Sequence, residues 1–157
     1  MDIIKITGDI LDVINTWEKY LVALPEDVIS GRRNSQYRTI KEILGHLIDS
    51  ASNNHQRMVR LQYNPQLSFP DYQQDNDLWI RLQDYQHAEW QDLIRLWKYY
   101  NLHLIRVMRS FKEDSLSHTW ENFEGDTITL QQMAEGYIEH THLHFNEIQE
   151  LINSRQS

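Results

Sequence analysis

The chain has 157 residues, 40% of them hydrophobic, which is enough for the core of one domain without disulfides or a structural metal. Its net charge of −8 argues against nucleic-acid binding, because phosphate contacts need a clustered positive surface. The sequence has no cysteine, which excludes thiolate ligands, a cysteine nucleophile and disulfide bonds.

Membrane and secretion signals are also missing from the sequence. No apolar run approaches the ~20 residues that span a bilayer, and charged residues interrupt the apolar residues at the N-terminus, unlike a signal peptide. We therefore expect a soluble protein of the cytoplasm, folded as a single domain over residues 1–157.

The first half of the chain predicts two amphipathic helices. The first ends near Pro25 and has apolar residues spaced three and four apart, at Ile10, Ile14, Trp17, Leu21 and Leu24. A polar connection is predicted from Glu26 to Arg38. The second helix begins at Thr39, which forms a capping box with Glu42, and its apolar pattern fades near Pro65.

The second half predicts two further helices. After a loop from Gln66 to Gln74, one long helix is predicted from Asp77 to Phe111, with a buried face that includes Leu82, Tyr85, Leu93, Leu96, Tyr100, Val107 and Phe111. A polar stretch with a turn at Gly125 and a short extended piece at Thr119–Phe123 follows. A capping box of Thr129 and Gln132 opens the last helix. The prediction is an all-α protein, a four-helix bundle with long connecting loops.

Two histidines lie on the apolar face of the last predicted helix. His140 and His144 are four residues apart, so both point to the same side of the helix. They continue the apolar pattern formed by Leu130, Met133, Tyr137, Ile148 and Leu151. Two imidazoles at this spacing can bind one metal ion, although such residues are more often satisfied core or boundary histidines.

His46 is the candidate for a third ligand, from the second helix. Asp49, Ser50 and Asn53 follow it along the same side of that helix, where a purely structural face would carry leucine or valine. Asp49 is a candidate either to orient an imidazole or to take a proton from bound water; the alternative is that it meets solvent at the helix edge. Three neutral imidazoles suit Zn²⁺, Ni²⁺ or Fe²⁺ and leave coordination positions open.

The other histidines have weaker claims to a role. His142 is two residues from each member of the pair, so it should point away from them and be exposed. His103, near the buried side of the third helix, is a remote candidate for lining the cavity. His55, His87 and His118 have no recognisable group of polar residues around them.

Several segments resemble a known family. Thr39-Ile40-Lys41-Glu42-Ile43-Leu44-Gly45-His46-Leu47-Ile48-Asp49-Ser50, followed by Asn53 and Arg57, is similar to the second helix of the DinB-like superfamily. Within it, the chain resembles the YfiT-like branch of metal-dependent hydrolases, which includes bacillithiol S-transferases. Phe69-Pro70-Asp71-Tyr72 with Trp79 resembles the loop before the third helix of that branch, and Tyr137–Ile148 resembles its closing helix.

The resemblance spans roughly Tyr37 to Ile148 and implies an up-down-down-up bundle. It also implies that His46, His140 and His144 hold Ni²⁺ or Zn²⁺ and that the protein forms a homodimer; Fe²⁺ is a further candidate because it, too, suits three imidazoles. Two differences bear on the substrate. Ser35-Gln36-Tyr37-Arg38 replaces a Gly-Gly-Trp-like segment, and His142-Leu143 stands where the family often has a basic residue and another histidine.

The leading hypothesis is a metal-dependent enzyme that acts on a small molecule. The metal would activate water for hydrolysis or a low-molecular-weight thiol for S-transfer, and the thiol must come from a cosubstrate because the chain has no cysteine. The alternative is a non-catalytic, stress-related binding module in which the metal is structural. We expect no nucleic-acid and no membrane partner.

Overall fold

The computed structural model describes residues 2–67 and 73–154. Four long helices form a bundle in which α1 and α3 each pack against both α5 and α6. The helices are α1 (Ile3–Ala23), α2 (Glu26–Gly31), α3 (Ile40–Leu61), α4 (Asn76–Leu82), α5 (Trp90–Arg109) and α6 (Leu130–Asn153). No helix in the described ranges is long and apolar enough to cross a membrane. The predicted all-α four-helix bundle is confirmed.

Side-chain contacts show that α1 and α5 are antiparallel. Near the start of α1, the Thr7 hydroxyl accepts a hydrogen bond from Arg109 at the end of α5. Farther along α1, Glu18 pairs with Lys98, in the middle of α5, at 2.9 Å. Residue numbers therefore rise along one helix as they fall along the other.

By the same criterion α3 and α5 are parallel. His55 bonds to the Tyr100 hydroxyl at 2.9 Å, and Gln62 lies 3.4 Å from Ser110, so residue numbers rise together. A parallel pair of consecutive long helices needs a crossover connection, and the segment from Gln62 to Glu89 provides it.

The last helix, α6, runs antiparallel to α5. Asn101 accepts a hydrogen bond from Tyr137 at 2.6 Å, and the Trp97 ring meets Phe145 at a centroid distance of 5.3 Å. The four long helices therefore run up, down, down and up. Trp97 and Phe145 are almost fully buried and are the largest such side chains among the described residues.

The predicted caps are present at both helices that carry the site histidines. Thr39 and Glu42 bond reciprocally at the start of α3, and Thr129 and Gln132 do so at the start of α6. Each box satisfies two backbone N–H groups that the first helical turn leaves unpaired. The caps therefore fix where these two helices begin.

A small three-stranded sheet closes one end of the bundle. Its strands are β1 (Gln66–Leu67), β2 (Thr119–Glu121) and β3 (Thr127–Thr129), with β2 parallel to β1 and antiparallel to β3. The extended piece expected at Thr119–Phe123 is thus partly a strand, and Gly125 makes the turn with a φ of 86°. The predicted loop at Gln66–Gln74 begins with a strand, and its Phe69–Tyr72 stretch lies outside the described residues.

The connection predicted from Glu26 to Arg38 is not entirely irregular. Its first part is the short helix α2, which starts after Pro25 and buries Val28 and Ile29. Glu26 and Asp27 favour the start of this helix because carboxylates interact well with a helix N-terminus. Two apolar residues are too few to show a helical period, which is why the sequence did not reveal this helix.

The single helix predicted from Asp77 to Phe111 is wrong. The chain instead forms α4, a 3₁₀ turn at Tyr85–His87 and α5. Asp84 adopts a left-handed conformation with a φ of 51°, which interrupts the helix. Of the residues predicted to be buried, Leu82 is 73% exposed and Leu96 is 49% exposed. The segment contains no glycine or proline that would have marked the break.

Candidate metal centre

The three histidines selected from the sequence come together between α3 and α6. The His140 Nε2 atom lies 3.0 Å from His144 Nε2 and 3.3 Å from His46 Nε2. His46 and His144 are buried and His140 is half-buried. Each pair of rings meets edge to face, with centroids 4.4–5.2 Å apart. Three ring nitrogens therefore face a common point.

These separations fit the ligand set of a single ion. Nitrogens at ~2.1 Å from a metal and ~90–109° apart lie about 3.0–3.4 Å from one another. Both measured distances fall in this range. Imidazole nitrogens suit Zn²⁺, Ni²⁺, Cu²⁺ and Fe²⁺ better than Mg²⁺ or Ca²⁺, which prefer oxygen. The side chains present thus fit a divalent transition-metal ion.

Glu147 orients one of the three imidazoles. Its Oε2 atom accepts a hydrogen bond from His144 Nδ1 at 2.9 Å. A proton held on Nδ1 leaves the lone pair of neutral His144 on Nε2, the atom that faces the other two histidines. Glu147 was not selected from the sequence, although its position three residues after His144 on the same helix was a usable signal.

Burial keeps two of the imidazoles neutral. It lowers the pKa of His46 to about 3, with further lowering from the nearby His144 and His140. Burial, followed by the interaction with His144, lowers the pKa of His140 to about 4. Neutral imidazole is the form that binds a metal ion, so the site is prepared for binding at neutral pH.

Asp49 is buried beside this cluster, one helical turn after His46. Its Oδ1 atom accepts hydrogen bonds from the Tyr85 hydroxyl at 2.7 Å and from the Gln83 amide at 2.9 Å. Its Oδ2 atom is buried and has no hydrogen-bond partner among the described residues. Burial raises the pKa of Asp49, while the two hydrogen bonds oppose that effect. Asp49 is therefore not the solvent-facing residue of the alternative interpretation.

The break between α4 and α5 positions Tyr85 for this contact. The Tyr85 ring packs directly on Gly45, where a Cβ atom would lie only 2.2 Å from the ring. Burial and the neighbouring Asp49 raise the pKa of the Tyr85 hydroxyl, which remains a donor at neutral pH. Neither Tyr85, Gln83 nor Gly45 was identified as part of the site from sequence, because their contacts depend on the unforeseen break.

Of the other polar residues considered from the sequence, some lie near the three-histidine cluster and others do not. Ser50 lies near the cluster, with its hydroxyl 3.4 Å from His140 Nδ1, whereas Asn53 bonds to Gln74. His142 is exposed, as its spacing indicated. His103 is exposed and its ring contacts His55, so it is not a member of the three-histidine cluster.

The lowered pKa values of His46 and His140 predict that the stability of the metal-free protein depends on pH. Unfolded histidine has a pKa of about 6.5, so between about pH 6.5 and 4 the unfolded chain binds protons that folded His46 and His140 do not. The free energy of unfolding should therefore fall as the pH drops through this window, by up to about 1.4 kcal/mol per unit of pKa difference. Urea unfolding in the presence of a chelator at pH 7.5, 6 and 5 measures this change.

A matched pair of variants isolates the cause. H46Q should make the acid dependence shallower, because glutamine does not titrate and only the contribution of His140 remains. H142Q removes an exposed histidine and should leave the dependence unchanged. Equal slopes in H46Q and the unmodified protein would contradict the assignment.

Fold and cluster together define a four-helix-bundle protein with three imidazoles converging between two of its helices. The chain belongs to the DinB superfamily, whose family model matches residues 11–148. This confirms the resemblance drawn from the sequence.

Two solved structures share the fold. One is YfiT from Bacillus subtilis, described as a probable metal-dependent hydrolase with an unusual four-helix bundle topology; it is 18% identical, with a TM-score of 0.80 over 95% of this chain and 85% of YfiT. The other is a mycothiol-dependent maleylpyruvate isomerase, 13% identical, with a TM-score of 0.74 over 97% of this chain and 66% of the isomerase. No curated protein matches the sequence significantly.

Proposed function

We propose that this protein is a metal-dependent enzyme whose divalent ion is held by His46, His140 and His144. The observation that carries the proposal is that the Nε2 atoms of His46 and His144 both lie at a ligand-ligand distance from His140 Nε2, in a group whose ligand atoms are all within 4.8 Å of one another. Three protein ligands leave at least one coordination position for water or substrate, which is typical of catalytic rather than structural sites. Nickel and zinc are the proposed ions, with iron as a third candidate.

The proposed chemistry is activation of a small nucleophile. When bound, the ion would lower the pKa of a water molecule, for hydrolysis, or of a low-molecular-weight thiol, for S-transfer. The YfiT similarity supports hydrolysis and the similarity to a thiol-dependent isomerase supports thiol chemistry. In both reactions the substrate is a small molecule.

The chain's own residues have separable roles in this proposal. Glu147 holds His144 in the tautomer that directs Nε2 inward. Tyr85 and Gln83 hold Asp49 through Oδ1, so Oδ2 remains available to accept a proton from the nucleophile or to orient it. Asp49 is thus the proposed general base of the site.

The competing possibility is a non-catalytic module with a structural metal. The extensive hydrophobic core favours the enzyme, because it includes buried residues of both α3 and α6, such as Leu44 and Ile148, and can hold these helices together without an ion. A single domain over residues 1–157, a homodimer and a cytoplasmic location remain part of the proposal.

Chelation separates the two possibilities. We expect the metal-free protein to keep its helical circular dichroism, to rebind one ion per chain, and to regain activity on adding the ion. Activity is measured as hydrolysis of ester and amide substrates and as consumption of a low-molecular-weight thiol with an electrophile. Loss of helical structure on chelation, with no activity in the reloaded protein, would favour the structural metal.

A further inference from the structure

A separate cleft lies where the loop before α3 meets α4. Its volume is about 300 Å³, and its lining includes residues of that loop, the first turn of α3, α4 and the turn before α5. Three arginines and three carboxylates line it: Arg33, Arg38, Arg81, Glu42, Asp77 and Asp84.

Two of the three carboxylates accept hydrogen bonds from neighbouring side chains. Asp77 accepts two hydrogen bonds from Arg38, at 2.8 and 3.1 Å. Asp84 accepts a hydrogen bond from His87 at 2.7 Å. Their capacity to bind a further cation is therefore reduced.

The third carboxylate, Glu42, serves the helix start. Its Oε2 atom accepts from the Thr39 backbone N–H at 3.2 Å and lies 3.4 Å from Arg33 Nη1. Each of the three acidic groups therefore already accepts at least one hydrogen bond from within the protein.

The arginines, in contrast, keep unused donors. Arg81 is exposed and makes no hydrogen bond or ion pair within the described ranges. Arg33 uses only Nη1, which donates to the Tyr37 carbonyl at 2.5 Å and lies near Glu42. Since a guanidinium carries five N–H groups, Arg33 and Arg81 have cationic donors available for a ligand in the cleft.

The loop that forms one wall is held in place before any ligand arrives. The Asn34 side-chain oxygen accepts from the backbone N–H groups of Gln36 and Arg38, both at 3.0 Å. The turn places Tyr37 in a left-handed conformation, with a φ of 63°, and the residue is 79% exposed. An aromatic surface therefore lies beside the arginines.

We propose that this cleft binds the carboxylate of a small aromatic or similarly flat molecule, with Arg33 and Arg81 donating to the carboxylate. The Tyr37 ring would cover the apolar part of the ligand. A single negative charge is preferred over a phosphate dianion, because Glu42, Asp77 and Asp84 lie in the same lining and repel the second charge.

One lining residue of the cleft lies one helical turn from a histidine of the three-histidine cluster. Glu42, in the lining, precedes His46 by four residues on α3, which corresponds to one turn or ~6 Å along the helix. A carboxylate bound here would belong to a molecule that reaches toward the histidines. This link to the reaction rests on the proposed function, whereas carboxylate binding itself does not.

The test uses benzoate and its uncharged analogue benzamide, with calorimetry or NMR titration of the chelator-treated protein at low salt. We expect saturable benzoate binding, much weaker benzamide binding, and at least tenfold weaker benzoate binding in R81Q and R33Q. R95Q removes an exposed arginine on α5 that pairs with Asp92, and should bind benzoate normally. Inorganic phosphate should bind more weakly than benzoate.

Three results would overturn the proposal: equal binding of benzamide and benzoate, unchanged benzoate affinity in R81Q, or tighter binding of phosphate than of benzoate. R81Q breaks no contact within the described residues, so misfolding would not account for a loss of binding in this variant. Because the protein is free of metal, these results are independent of whether His46, His140 and His144 hold an ion.

Discussion

Replacing His46 or His144 by alanine is expected to remove stoichiometric metal from the purified protein. Each change deletes one of three converging Nε2 atoms, and the remaining two imidazoles cannot complete the ligand set. We expect metal affinity to fall by more than about 100-fold, beyond the range seen when only a supporting partner is lost. Elemental analysis of the purified variants and competition with a chromogenic chelator measure the content and the affinity.

Two further variants should show a smaller loss of metal affinity and no loss, respectively. E147Q keeps all three imidazoles but weakens the hydrogen bond that fixes His144, so its metal affinity should fall by about 10–100-fold. H142A removes a histidine on the same helix that is exposed, and its metal content should match that of the unmodified protein. Full metal content in both H46A and H144A would end the proposal of a three-histidine centre.

The site was only partly predictable from the sequence because its residues depend on different ranges of structure. His140 and His144 share a helix, so their spacing alone placed them on one face. Nothing local relates His46 to them across more than ninety residues, and the family resemblance supplied that choice. Glu147 was predictable in principle, since its contact is also within one helix.

In the fold, too, local features were predictable from the sequence and tertiary ones were not. The starts of α3 and α6 were predictable because a capping box is a local arrangement of four residues. The interruption at Asp84 was not, because no local signal requires a left-handed residue there. What stabilises the break is tertiary: Tyr85 gains a buried hydrogen bond to Asp49 and packs on Gly45. The helical periodicity of a sequence gives no information about such a tertiary contact.

Gly45 is therefore the position where a single methyl group should have the largest structural effect. In G45A the new Cβ would lie 2.2–2.7 Å from three ring carbons of Tyr85, far inside van der Waals contact. Alanine favours a helix over glycine by up to ~1 kcal/mol, but overpacking a core costs about 1–3 kcal/mol and occasionally more. We expect a net loss of stability of about 1–2 kcal/mol, measured by urea unfolding.

A matched substitution in α6 provides the control. Gly136 has nothing within 4 Å of the position of a Cβ atom, so G136A should stabilise the protein by about 0.5–1 kcal/mol through helix propensity alone. The sign of the effect should thus reverse between two glycines that both lie inside helices. If G45A were as stabilising as G136A, the close packing of Tyr85 on α3 would be incorrect.

The double variant G45A/Y85A identifies the partner. Removing the Tyr85 ring abolishes the clash, so adding a methyl group at Gly45 should cost little in the Y85A background. The effects of the two changes on the free energy of unfolding should therefore be strongly non-additive.

The displacement of Tyr85 in G45A should also affect activity, because it moves the Tyr85 hydroxyl away from Asp49 Oδ1. G45A should then lower activity by freeing the Asp49 carboxylate while leaving the three imidazoles, and hence the bound metal, in place. Loss of activity with full metal content would separate the role of Asp49 from that of the ligands.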